Sequence, residues 1–164
     1  MNFFRSIVCV CFILAVSACG NNETSQSHVE QAEKLLAEKE NSSAIIALKN
    51  AIKMDVKNAK ARFLLGRLYL ESGDGQSAEK ELERSLQLEF DANKALPLLA
   101  RAYLLTESDD DIFSLENEAM SLTQSSKIQF LAYKTIAALR TENEKLANEA
   151  VDLAFLTSIL IAFF

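Results

Sequence analysis

A repeat of 34 residues constrains this chain more than any other feature. Ala59-Lys-Ala-Arg-Phe-Leu-Leu-Gly-Arg-Leu-Tyr-Leu70 set over Asn93-Lys-Ala-Leu-Pro-Leu-Leu-Ala-Arg-Ala-Tyr-Leu104 matches at 7 of 12 positions without a gap. The same offset pairs Ala44 with Ala78, Leu48 with Leu82 and Ile52 with Leu86. Leu64, Leu65, Leu68 and Tyr69, with Leu82 and Leu86, follow i, i+3, i+4 spacing and form an apolar face that a single helical hairpin cannot bury. Small side chains at Ala44, Gly66, Ala78 and Ala100 stand where two helices have to approach closely. Only four Gly and one Pro occur in 164 residues, too few turn signals for a sandwich or barrel. The expected fold is therefore all-α: an antiparallel helix-hairpin solenoid of about three to four repeats, short and open to having been truncated.

At this period the pattern resembles the tetratricopeptide repeat, whose marks appear at Leu65, Gly66, Tyr69, Gly73 and Ala78 in the copy at 59–92. That copy departs from the family at Arg62, where an aromatic is usual, and at Phe90, where Pro is usual. The copy at 25–58 keeps Ala32, Leu35, Ala44, Leu48 and Ala51. The one at 93–126 keeps Leu99, Ala100, Tyr103 and Ala119, with Ile112 where a small residue belongs. A weak fourth copy from about 127 carries Phe130, Tyr133 and Ala137, then Leu146, Ala150 and Leu153. Helix starts are expected at Ser27 with Glu30 as a capping box, at Asn58, at Asp74, at Ser125 or Ser126, and at Thr141 with Glu144. Pro97 is expected in the first turn of its helix, where its missing amide proton costs little.

Residues 1–18 read as an export signal, with Arg5 ahead of an apolar run from Ile7 to Val16 that is about half the ~20 residues of a membrane-spanning helix. Val16-Ser17-Ala18-Cys19 resembles the bacterial lipobox; the resemblance implies cleavage before Cys19 and acylation there. Two or more acyl chains anchor stably because each buried methylene contributes roughly 0.8 kcal/mol. An ordinary secretory signal and an uncleaved anchor are the alternatives. Residues 19–27 suit a polar tether, 28–153 the repeats and 154–164 an apolar tail. Gly20 stands where inner-membrane retention would place Asp, so the resemblance leans toward the outer membrane. Cys9 and Cys11 leave with the signal, and removing Arg5 leaves 16 cations against 23 acids, a charge of −7 that argues against a nucleic-acid partner.

No catalytic residue, metal site or cofactor is expected. His28 is the only imidazole, without a visible partner base, and reads as a solvated first-turn residue. Asp109-Asp110-Asp111 lacks the spread of ligands a calcium loop needs and reads as a helix cap in a turn. Gly73 and Gly75 read as a tight turn, not a phosphate loop. In a tetratricopeptide stack the first helices line the concave face and their positions 2 and 9 project into it. Those positions carry Lys60 and Arg67, then Lys94 and Arg101. The expectation is a basic strip over an apolar floor of Phe63, Leu70, Leu104 and Leu105, fit for a carboxylate-rich peptide or an anionic glycan. The competing reading pairs these cations with nearby Glu on a solvated face.

The segment Ala154 to Phe164 carries no charge, although a solenoid normally ends on a polar face. A plug on the last repeat, a partner or membrane-surface contact and an interrupted longer array are the three readings, the last preferred; self-association through the tail is expected. The stretches from Ala44, Asn58, Gly73, Ser77 and Leu96 look like the start of the tetratricopeptide-repeat lipoproteins of exosortase (PEP-CTERM) sorting and exopolysaccharide systems. That resemblance, over about 19–140, implies a periplasm-facing scaffold that binds an envelope protein or peptide, held to the membrane by its N-terminal lipid. A remnant of a longer array, without binding activity of its own, is the alternative.

Overall fold

The computed structural model of the chain describes residues 23–162, with side chains to residue 156. The signal segment and the lipobox residues Val16, Ser17, Ala18 and Cys19 lie outside the described residues. The described residues form helices α1 (Ser25–Ala37), α2 (Asn41–Met54), α3 (Ala59–Glu71), α4 (Gly75–Gln87), α5 (Ala92–Leu105), α6 (Asp109–Ser114), α7 (Glu116–Ala119), α8 (Gln124–Arg140) and α9 (Glu144–Ala162), with no strand among them. Pairs α1/α2, α3/α4 and α8/α9 are hairpins, and α5 with α6 and α7 makes the third of four. Successive hairpins stack through α2 on α3, α4 on α5 and α5 on α8. The expected all-α solenoid is the observed architecture.

The turns show the period in the backbone itself. Left-handed conformations recur at Lys39, Gly73, Glu107 and Glu142, with φ of 63°, 80°, 59° and 57°. Around them the same closing bond repeats, from Glu40 N to Leu35 O, Asp74 N to Tyr69 O, Ser108 N to Tyr103 O and Asn143 N to Ala138 O. Each satisfies a helix-end carbonyl that would otherwise lack a partner. Only Gly73 has the residue type this conformation favours. The spacing is 34, 34 and then 35, so the fourth hairpin carries one extra residue ahead of its turn.

Helix starts are set by short polar side chains, and several differ from the sequence expectation. Asn58 accepts from Ala61 N at 2.9 Å and Asp74 from Ser77 N at 3.0 Å, as expected. These hydrogen bonds from Ser77 hold the Asp74 carboxyl below its ordinary pKa. The first helix is capped by Thr24 in a reciprocal box with Ser27, while Glu30 accepts from Gln26 instead. The expected tether thus ends at Thr24, and residues 25–27 are helical. Helix α8 begins at Gln124, not at Ser125 or Ser126, and α9 is capped by Asn143, with Thr141 closing α8. Helix α5 starts at Ala92, capped by Asp91, so Pro97 lies past the first turn, fully buried, and leaves the Asn93 carbonyl without its i+4 donor. Helix α9 runs unbroken through residue 154, because no Gly or Pro interrupts it, so the apolar tail is not a separate segment. No helix among the described residues is long and apolar enough to cross a membrane.

The core follows the repeat. Leu65, Leu68, Leu82, Leu96, Leu99, Ala100 and Tyr103 are buried, and Ala78, which faces Gly66, is fully so. A β-carbon on Gly66 would lie 2.7 Å from Leu82 Cγ and 3.2 Å from the Ala78 carbonyl. Gly75 is a packing residue as well as a turn neighbour, since a β-carbon there would lie 2.8 Å from Leu105 Cβ. The two departures in the second copy are accommodated. Phe90 stacks on Phe63 with ring centroids 4.4 Å apart. Arg62 pairs with Glu81 at 2.7 Å and donates to the Val56 carbonyl, tying α3 to α4. His28 is buried, not solvated, with Nε2 3.6 Å from Glu23 Oε2, because its helix face turns toward the first hairpin's interior.

The third and fourth hairpins break the pattern at complementary places. Counting from the turns, Leu48 and Leu82 correspond to Glu116, and Leu65 and Leu99 correspond to Lys134. Glu116 cannot take the buried leucine site as a lone charge. The second helix of this hairpin is interrupted at Leu115, and the Glu116 side chain stands 50% exposed. Lys134 keeps its buried site, only 3% exposed, with Nζ 2.7 Å from Glu116 Oε1. Asp109 of the acidic run makes no cap; it holds Arg140, whose Nε lies 2.7 Å from Asp109 Oδ2. Arg140 thereby fastens the last hairpin to the third.

Candidate binding groove

The four cations at equivalent repeat positions lie on first helices, Lys60 and Arg67 on α3 and Lys94 and Arg101 on α5. Seven residues apart, each pair shares one helix face. Three of them already meet acids: Lys60 Nζ lies 2.7 Å from Glu33 Oε1, Lys94 Nζ 3.4 Å from Asp91 Oδ2, and Arg67 Nε 3.7 Å from Glu71 Oε1. The first two are exposed pairs, each worth about 0–1 kcal/mol. Lys60 to Glu33 also shows that this face is continuous from α1 to α3. The Arg67 distance is too long for a hydrogen bond, and its buried Nε has no hydrogen-bond partner among the described residues. Arg101 is exposed and makes no ion pair among them.

The expected apolar floor is not there. Phe63 and Leu70 are buried, Phe63 by its stack on Phe90, and neither is open to a ligand. Their helix face turns toward the next hairpin because a stack has to bury it. Leu104 is half-buried and Leu105 is exposed. The one-residue shift places Gln129 and Ile136 at the corresponding positions of α8, so the strip runs from Gln26 and Glu33 through two cationic steps to a neutral end. The groove is an alternation of charge with two under-bonded guanidiniums at its centre. Among the described residues no group of three or more His, Cys, Asp or Glu could hold a metal ion.

Two further contacts join successive hairpins, α4 to α5 and α2 to α3. Tyr103 donates to Glu83 Oε1 at 2.7 Å, and burial together with that carboxylate raises the phenol well above its ordinary pKa. Lys49 lies 5.8 Å from the centre of the Tyr69 ring, near the ~6 Å limit of a cation–π contact.

A tetratricopeptide-repeat family model matches residues 35–102. Over that stretch the chain is similar to the tetratricopeptide repeat. The match spans the second helix of the first hairpin, the whole second hairpin and most of α5, the part of the chain where the 34-residue spacing is strict. DnaJ homolog subfamily C member 3 of chicken (Gallus gallus) is 27% identical over 147 residues, covering 82% of this chain. The chain spans only 29% of that relative's length. Among solved structures, YrrB, described as a TPR protein with an unusual peptide-binding site, is similar with a TM-score of 0.56 at 17% identity. The similarity covers 84% of this chain and 88% of YrrB. That similarity is one of fold, a stack of helical hairpins.

Proposed function

We propose that this chain is a lipid-anchored tetratricopeptide scaffold of the bacterial envelope that holds a carboxylate-rich peptide or protein segment along its first helices. The observation that carries the reading is the pair Arg67 and Arg101, one repeat apart, neither engaged in a hydrogen bond with an acid among the described residues. A guanidinium presents a planar fork of donors that fits a carboxylate with two parallel bonds, which a water-exposed lysine does not match. The acidic net charge of the whole chain makes a cationic centre in the groove the place where an anionic segment is drawn in. Binding of a fluorescent hexaglutamate peptide, followed by anisotropy, is expected to fall by about tenfold or more when Arg67→Glu and Arg101→Glu are combined. Helicity by circular dichroism is expected to stay unchanged, since neither side chain packs in the core. Unchanged peptide affinity would falsify the assignment.

The anchoring part of the reading rests on Val16-Ser17-Ala18-Cys19 and on a resemblance to PEP-CTERM and exopolysaccharide-associated lipoproteins. It places the scaffold on the periplasmic side, with the outer membrane favoured by Gly20. In cells of a Gram-negative bacterium, the Cys19→Ala chain is expected to leave the membrane fraction and to lose the mass of its acyl chains. Retention of the variant in membranes at the natural chain's level overturns lipid attachment at Cys19.

A further inference from the structure

A cavity of about 150 Å³ lies between α7, α8 and α9, just past the helix break at Leu115. Ala119, Phe130, Leu131 and Leu153 give it apolar walls, while Glu116, Lys127 and Lys134 also line it. On α8 these residues stand opposite Gln129 and Ile136, so the cavity is separate from the groove. Its rim reaches water at Glu116, Met120 and Leu153, all exposed. Two ammonium groups and one carboxylate thus meet at an apolar hollow, one positive charge in excess. Lys127 Nζ is held by the Met120 carbonyl at 2.8 Å. Lys134 is almost wholly buried and uses one of its three N–H donors on Glu116.

We propose that this cavity binds a small monocarboxylate carrying one apolar group of phenyl or isobutyl size. A hollow near 150 Å³ accommodates a benzene-sized group, and it is well below the roughly 300–1,000 Å³ of pockets that hold larger ligands. The apolar group fills the space between Phe130, Leu131 and Leu153. The carboxylate shares the Lys134 ammonium with Glu116 and balances the excess charge beside Lys127. A neutral ligand of the same shape gains the burial alone.

Titration of the full chain with 3-phenylpropionate, followed by NMR of leucine methyl groups, is expected to give saturable shifts at Leu131 and Leu153. The uncharged isostere 3-phenylpropanamide is expected to bind about tenfold or more weakly, as is 3-phenylpropionate to Lys134→Met. Should Lys134→Met lose helicity, Ala119→Leu serves instead, since it fills the hollow and leaves the ion pair in place; it is expected to abolish the shifts. Equal binding of acid and amide, or no saturable shift in the natural chain, overturns the proposal. So does tighter binding, by about tenfold, of a peptide ending in Phe than of the free acid, which would move the site from a small molecule to a chain terminus.

Discussion

Replacing Gly66 with Val is expected to destabilise the chain by about 3 kcal/mol, the upper end for overpacking, and to lower its Tm by roughly 6–12 °C. The reason is the crossing of α3 and α4, where even a β-carbon would stand 2.7 Å from Leu82 Cγ, and Leu82 is fully buried with nowhere to move. Gly66→Ala is expected to destabilise less, because it brings the same β-carbon against Leu82 but no γ-methyls, and a helix-interior glycine returns up to about 1 kcal/mol of propensity when it becomes alanine. Leu82→Ala alone should cost about 2–5 kcal/mol through the cavity it leaves. Combined with Gly66→Val it should cost at least about 1 kcal/mol less than the sum, since each change relieves the other. Strict additivity in urea denaturation would show that the two side chains do not share this crossing.

The second large effect is expected at the junction of the third and fourth hairpins. Glu116→Leu strands the Lys134 ammonium in a site 3% exposed, and a loss of about 2–3 kcal/mol is expected. This lies below the usual ~3–5 kcal/mol for breaking a buried pair because Glu116 itself is half in water. Adding Lys134→Leu should restore stability to the natural level or above it, because the leucines that Leu82 and Leu99 place at the preceding seam are then matched. The comparison is read from urea midpoints of the single and double variants. If Glu116→Leu alone is as stable as the natural chain, Lys134 does not depend on its partner.

The legible part of this fold was the part where the repeat is regular. Leu65, Gly66, Tyr69 and Ala78 and their equivalents Leu99, Ala100 and Tyr103 mark the hairpins, and Asn58 and Asp74 mark two helix starts. The fourth hairpin was blurred for a physical reason: one added residue ahead of its turn shifts every correspondence, so Lys134 lines up with Leu99 only once that shift is known. Three of the four turns also hide their left-handed residue under Lys or Glu. In the groove, the four cations stood out by spacing, but their acids did not. Glu33 reaches Lys60 from another hairpin, and no local pattern reports such a contact. Phe63 and Leu70 were misplaced because a hydrophobic side chain on a first helix serves either the groove or the stack, and in this chain the stack takes both.

Repeat proteins are commonly treated as interchangeable bricks. The Glu116–Lys134 bond makes one seam of this wall an exception, since the Lys134 ammonium, 3% exposed, is tolerable only beside Glu116. A hairpin grafted from elsewhere in the array, with leucine at the matching place, would meet a lone charge instead of an oily neighbour. The order of the last two units is thereby written into the chain, and recombination that shuffles them would be penalised where shuffling the earlier ones would not.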